Sequence, residues 1–589
     1  MQDQETGDMP PFFLRGWRGP LWLATTLFLG HLILPNLGGT GLALPFNAIF
    51  WSVAIATICS WACTVKSLRV PARIGDRLLL GSVFCLFLSA VFSDPATILT
   101  TPALYAIVGG VGFLTALRIT SIPVIHLLLV LASFGTLEAL IGLSQIFGAS
   151  PGLWSDEISI GTRPTGVFQQ PNLLASALGM SLAACGLLLS SNMNDEARIK
   201  NEQLRTSVAA AQDVIQKNSG QTISKWLSHF CLSSSFIIST CITLIASRTG
   251  WIGIGIVVTI SSTLLWRSGI SKKIQYLASI AAGIAAGSTI ILLIPEVAAY
   301  VDTKIRVADS RWNFYPQVLQ LILTKLPKGC GYGEFEACYV TTTSEVMNLE
   351  PVSGLGHPHN EILFWAAEGG IIAILGIALA ITAFVRILFA MKPTNASAAL
   401  MLASPILVHT MLEMPLYHST PHWLACLVIL HIAQEATQTE RHRSSFHIPP
   451  AVVRPLALLC LILGLPVLIH SVVTNAVLWT VHKDFKANAY KLKYLGHPLL
   501  LKEEYEFELN RRYFNLGVVD GNPLATQLFL DWASQQIDKT PRIGLMQDAA
   551  RAALFLDKVE QAEDILTRSA RLFPSHEHES AVTEGSRDE

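Results

Sequence analysis

The chain has 589 residues, of which 51% are hydrophobic and only 14% charged, with a mean hydropathy of +0.47. That composition excludes an ordinary soluble globular protein of this size and fits a chain that crosses a membrane many times. The formal net charge of −1 and a pI near 7.0 leave no basic footprint for nucleic acid, so none is expected as a partner.

A bilayer core about 30 Å thick needs roughly 20 apolar residues per helix. After a polar N-terminus at 1–20, such runs occur at 21–34, 43–63, 78–93, 102–118, 122–147, 172–190, 226–246, 251–266, 274–294, 361–390, 397–412, 421–435 and 451–473. The first run follows Arg15 and Arg18 as a signal peptide would, but no small-residue cleavage site precedes the next run, so a retained anchor is expected. The fold class predicted is therefore all-α, a polytopic membrane protein of about thirteen transmembrane helices.

Lysine and arginine set the orientation, because cytoplasmic loops keep positive charge. With the N-terminus cytoplasmic, alternate loops hold Arg69, Arg73 and Arg77, then Arg118, then Arg198 and Lys200, then Lys272 and Lys273, then Arg386 and Lys392, then Arg441 and Arg443. The short opposite loops carry only Arg163 and Arg248. Thirteen spans leave the C-terminus outside. The organisation expected is a cytoplasmic N-terminus at 1–20, membrane regions at 21–294 and 361–473, an external loop at 295–360 and an external tail at 474–589.

In the loop, Trp312, Tyr315, Val318, Leu319 and Ile322 recur at helical spacing with aromatics at one end, which predicts an amphipathic helix lying in the interface. Cys330 and Cys338 share that loop and would be free to pair in an oxidising compartment. The tail is charged, and its AARAALFLDKVEQAEDILTRSARLFPSH stretch reads as a soluble helical layer similar to part of a tetratricopeptide repeat.

The loop closes on GHPHNEILFWAAEGG, residues Gly356 to Gly370, which sets His357, His359, Asn360 and Glu361 at the mouth of an apolar run. An imidazole with a near-neutral intrinsic pKa suits a general base, a structural histidine or a metal ligand. A metal would need further donors, which His409, Glu413, His418 and His422 offer in number but not in a known ligand pattern, so no metal and no cofactor are expected. Arg248 in ASRTGW and Arg311 in DSRW fall on the same face. Each is either a snorkelling or headgroup-contacting arginine or a fork of donors for phosphate oxygens. Arginines for a departing phosphate beside a histidine for an incoming hydroxyl make a transfer site.

FQQPN (Phe168 to Asn172), SRTGW, DSRW, PKGCGYGEF and GHPHNEILFWAAEGG, in that order, resemble the O-antigen ligase and polymerase superfamily. HTMLEMPLYH, residues His409 to His418, and the helical tail resemble its bacterial O-linked oligosaccharyltransferase branch, the PglL type. The resemblance covers most of the chain from about residue 150. It implies an inner-membrane enzyme with a periplasmic active site that moves a preassembled glycan from undecaprenyl pyrophosphate to Ser or Thr of a pilin or other periplasmic protein.

On the same basis His359 matches the family's essential histidine, and Arg248 and Arg311 match arginines that hold the pyrophosphate. His357, Asn360, Gln170, Asn172 and Glu413 are supporting candidates. Pro358 departs from the pattern, which usually has Ser or Ala there; it stiffens the turn that decides which imidazole faces inward. An O-antigen ligase or polymerase with a sugar hydroxyl as acceptor is the nearest rival. A lipid-linked glycan transporter would instead distribute polar groups along a path through the bilayer, whereas here they cluster on one side.

Overall fold

The computed structural model describes residues 41–64, 68–93, 102–120, 122–149, 160–203, 213–268, 270–306, 311–437 and 445–576. The predicted span at 21–34 lies outside them.

Eight of the described helices are long and apolar enough to cross a membrane. They are Pro45–Thr64, Ala103–Thr120, Val124–Ile146, Pro171–Ser190, Lys225–Ile245, Lys273–Leu293, Glu361–Phe389 and Pro450–Lys483. Four further predicted runs are helical without meeting that measure: Asp76–Ser89, Arg248–Ser268, Pro393–Thr410 and Thr420–Glu435. Asp76–Ser89 and Thr420–Glu435 are short, at 14 and 16 residues, and the last two helices carry the polar residues His409, His422, His431 and Gln434, all buried in the bundle. The last span runs ten residues past the expected boundary, to Lys483.

Burial separates the centre of the bundle from its periphery. The Pro171–Ser190 stretch has 89% of its membrane window buried, against 22% for Glu361–Phe389 and 17% for Pro450–Lys483, so the first is the hub and the other two face outward. Its sequence explains this, because Ala175, Ala177, Gly179, Ala183 and Ala184 let neighbouring backbones approach closely, and lipid-embedded helices associate by such packing. At the contact with Val124–Ile146, Ser181 lies against Gly135 so tightly that a Cβ there would sit 2.0 Å from its Oγ.

A two-stranded antiparallel ladder, Leu68–Pro71 with Ser445–Ile448, is the described exception to an all-helical chain. Beside it Arg118 bridges to Asp76 at 2.6 Å and Arg73 pairs with Glu435.

The loop and the tail form one body. Helices Lys502–Phe514, Pro523–Lys539, Ile543–Phe555 and Val559–Leu572 follow one another in the tail. Phe529, Leu530, Ala533 and Met546 share a hydrophobic core with Phe314, Val318, Phe335 and Phe364 of the loop and the following span. The Arg311–Lys325 helix therefore turns Phe314, Val318, Leu321 and Ile322 into protein, which corrects the expectation that Val318 and Ile322 face lipid. Trp312, Leu319 and Leu323 remain on its exposed side. Arg542 clamps Glu336 through two bonds of 2.6 and 2.7 Å, and Cys330 and Cys338 are joined as a disulfide.

Candidate active site

The turn before the Glu361–Phe389 helix is shaped by its own residues. Pro358 restricts the residue before it to extended backbone, and His359 then adopts φ 48°, a left-handed conformation that costs a non-glycine residue of order 1 kcal/mol. Asn360 ends the turn as the helix cap, its Oδ1 accepting from the Ile362 and Leu363 amides at 3.0 Å. Its Nδ2 donates to the Met411 carbonyl at 2.8 Å. Asn360 thus ties GHPHNE to HTMLEMPLYH and holds the backbone on which His359 sits.

Glu413 is the hub. Its Oε2 is 2.7 Å from His359 Nδ1, and its Oε1 accepts from Arg311 Nη2 at 2.6 Å. The carboxylate side chain is 7% exposed, the imidazole 34% and the guanidinium 18%, so a buried anion holds two groups at the rim. Burial alone pushes the Glu413 carboxyl up, but the bonds and charges of His359 and Arg311 outweigh it and keep it below the usual carboxylate range. With Nδ1–H donated to Glu413, His359 has Nε2 as its acceptor nitrogen.

Two more imidazoles stand beside it. The His357 ring is 4.5 Å from that of His359 and 5.0 Å from that of His418. Burial, then His418 and His359, push His357 down to about 3; burial and His359 push His418 down to about 4. Both are neutral near pH 7. Of the two imidazoles flanking Pro358, His359, and not His357, makes the hydrogen bond to the carboxylate.

The FQQPN and SRTGW motifs meet on the next layer. Asn172 Oδ1 accepts from Ser247 Oγ at 2.8 Å. One helical turn on, Ser176 Oγ lies 2.7 Å from His409 Nδ1 and 2.9 Å from His422 Nε2, and His422 Nδ1 lies 2.7 Å from Ser419 Oγ. His409 leads to Glu413 through a 2.8 Å backbone bond, so the motifs connect to the hub. Gln170 starts this helix, its carbonyl accepting from Leu174 N at 3.2 Å.

Arg248 is exposed at the start of its helix, Nη2 donating to the Lys304 carbonyl at 3.2 Å. Arg163 donates from Nε to the Ile245 carbonyl just before it, at 2.7 Å. The structure thus brings His357, His359 and Arg311 to the Glu413 carboxylate with Asn360 holding the turn, places Asn172 and Gln170 at the adjoining helix start, and sets Arg248 on that layer's surface. Ser176 was not legible as a site residue, since a lone serine in an apolar helix looks like a packing residue. The four-residue spacing of His409 and Glu413 was the available sign of the hub.

Donor atoms of His357, His359 and Glu413 lie within 4.8 Å of one another, close enough to share a metal ion. Both Glu413 oxygens are already engaged, one by a permanent cation, and a second cation would have to displace it or tolerate its charge. The ion-paired arrangement is the one the donor set favours.

Residues 233–378 match the family model for O-antigen ligase, and residues 397–585 match that for virulence factor membrane-bound polymerase, C-terminal. No curated protein matches the chain. The first match spans SRTGW, DSRW and GHPHNE, and the second spans HTMLEMPLYH and the tail.

Proposed function

Since the two matches place this multi-pass membrane protein in the O-antigen ligase and polymerase superfamily, we propose that it is an O-linked oligosaccharyltransferase. It would transfer a preassembled glycan from undecaprenyl pyrophosphate to a Ser or Thr hydroxyl of a pilin or other periplasmic protein. The observation that carries this reading is the His359, Glu413 and Arg311 constellation. A buried carboxylate fixes the imidazole's tautomer and leaves Nε2 to take a proton.

In the reaction, His359 Nε2 accepts the proton of the acceptor hydroxyl as its oxygen bonds to the anomeric carbon. The bond from that carbon to the phosphate oxygen breaks with inversion, and undecaprenyl pyrophosphate departs with the electron pair. Arg311, with Arg248 from the neighbouring layer, meets the charge gathering on the leaving group. Glu413 stabilises the imidazolium that forms. If the eight long apolar helices, the four further helices and the 21–34 run all cross, the chain makes thirteen crossings, and with a cytoplasmic N-terminus this site and the tail would lie on the periplasmic side of the inner membrane.

A protein acceptor is favoured over a sugar acceptor by the tail. Its helices pack on the loop that supports His359, giving a folded partner a surface beside the reacting centre. The polymerase named in the second match makes a sugar hydroxyl the rival acceptor. Incubation of the purified protein with lipid-linked glycan and either a pilin or a second glycan decides between them. The proposal requires a pilin mass shift of one whole glycan; elongation of lipid-linked glycan with an unmodified pilin would overturn it.

A further inference from the structure

The long Pro450–Lys483 span ends in a feature the transfer reaction does not use. From 482 to 502 the chain carries Lys483, Lys486, Lys491, Lys493 and Lys502 against a single acidic residue, Asp484. Loops that face away from the cytoplasm normally avoid such charge. Whatever the sidedness, a segment starting at the last turn of a span lies at the membrane surface.

Its fold keeps part of this charge at the surface. Leu492 and Leu495 are buried against Leu478 and Val481, so the segment doubles back onto the end of the span. The short 3-10 helix Ala489–Tyr494 buries Ala489 and Leu492 and leaves Tyr490 and Tyr494 exposed, at 50% and 70%. Lys483 lies 4.8 Å from the Trp479 ring centre and Lys493 4.9 Å from that of Tyr494. Lys486 and Lys493 are themselves exposed. Aromatic rings with lysines beside them, set at a span's end, are suited to headgroup level, where rings sit among glycerol groups and ammonium groups reach phosphates.

We infer that residues 479–494 form a binding surface for anionic phospholipid headgroups of the surrounding bilayer, which seats the loop and tail body against the membrane. The occupant is a bilayer lipid because the lysines continue directly from a span and are spread along the surface. The glycan donor would instead be held by the arginine fork near His359, distant in sequence from this segment.

The test is native mass spectrometry of the full-length protein in detergent, titrated with phosphatidylglycerol, with phosphatidylcholine, or with undecaprenyl pyrophosphate. Wild type should retain phosphatidylglycerol over phosphatidylcholine. The triple variant Lys486→Gln, Lys491→Gln, Lys493→Gln should lose at least about fivefold of that preference, the scale expected from even one lysine at an anionic surface. A control pair in the tail, Lys539→Gln with Arg551→Gln, should keep it. Raising the salt should erase the preference in wild type without any substitution, which guards against a misfolded triple variant. Equal retention of both phospholipids by wild type, or an unchanged preference in the triple variant, would overturn the inference. So would loss of undecaprenyl pyrophosphate alone, which would make the segment a donor site.

Discussion

One carboxylate, Glu413, decides how two side chains far apart in sequence behave. Replacing it with Gln keeps an acceptor for His359 but removes the charge that stabilises an imidazolium, so transfer should fall by at least about tenfold in kcat with KM little changed. Glu413→Ala also strands the half-buried Arg311 and should cost about 3 kcal/mol of stability. His359→Ala and His359→Gln should each lower transfer by about 100-fold or more at normal protein level, with His357→Ala milder. Arg311→Lys and Arg248→Lys should each impair it although charge is kept, because an ammonium cannot form a two-pronged contact; near-normal rates in both would remove them as pyrophosphate ligands. The neutral histidines give a pH signature. His357 and His418 bind protons near 6.5 when unfolded but only near 3 and 4 when folded, so their contribution to stability is present above about 6.5 and is lost as pH falls below it. Each adds up to about 1.4 kcal/mol per pH unit. Thermal melting between pH 7.5 and 5 should show this loss, and His357→Asn with His418→Asn should flatten it. GHPHNE and HTMLEMPLYH were both legible as chemistry-bearing stretches. The pairing of His359 with Glu413 across 54 positions was not, because only the meeting of two helix ends creates it.

At the scale of elements, apolar runs announced the helices because a bilayer demands an unbroken stretch of about 20 such residues. Four predicted runs are helical but fall outside the length and hydropathy of the other eight, as in Thr420–Glu435, which has 16 residues and buries His422 and His431. Hydropathy did not reveal the break inside Glu361–Phe389. Gly370 sits there at φ 59° and ψ −150°, letting the loop's Pro327 carbonyl accept from the Ile371 amide at 2.9 Å. A Cβ would lie 2.2 Å from that carbonyl oxygen. Gly370→Ala should therefore cost more than about 2 kcal/mol. Gly464→Ala, in a helical turn with nothing within 4 Å of the added carbon, should be neutral or slightly stabilising. Melting of the two variants in one detergent separates the cases; equal midpoints would contradict the account of the kink.

Over the whole molecule, sequence divided loop from tail where the structure joins them. Composition could identify a soluble helical layer, but its apolar faces do not state what covers them, and Phe314 and Phe335 supply that cover from some 200 residues away. Arg542→Ala should leave this core docked while exposing the buried Glu336, seen as faster hydrogen exchange over 335–341 with the spans unchanged. Exchanging the charges, Arg542→Glu with Glu336→Arg, should restore protection. The body so assembled packs against the site through Leu355, Phe364 and Met414, and the central claim is that this site joins a lipid-borne glycan to a protein hydroxyl. Its most direct measurement is the intact mass of a pilin after incubation with the purified protein, undecaprenyl pyrophosphate-linked glycan and excess chelator. The account predicts a shift of one complete glycan, undiminished by chelation and lost with His359→Gln. An unshifted pilin, a shift that persists in His359→Gln, or transfer restored only by added Mg²⁺ or Mn²⁺ would contradict it.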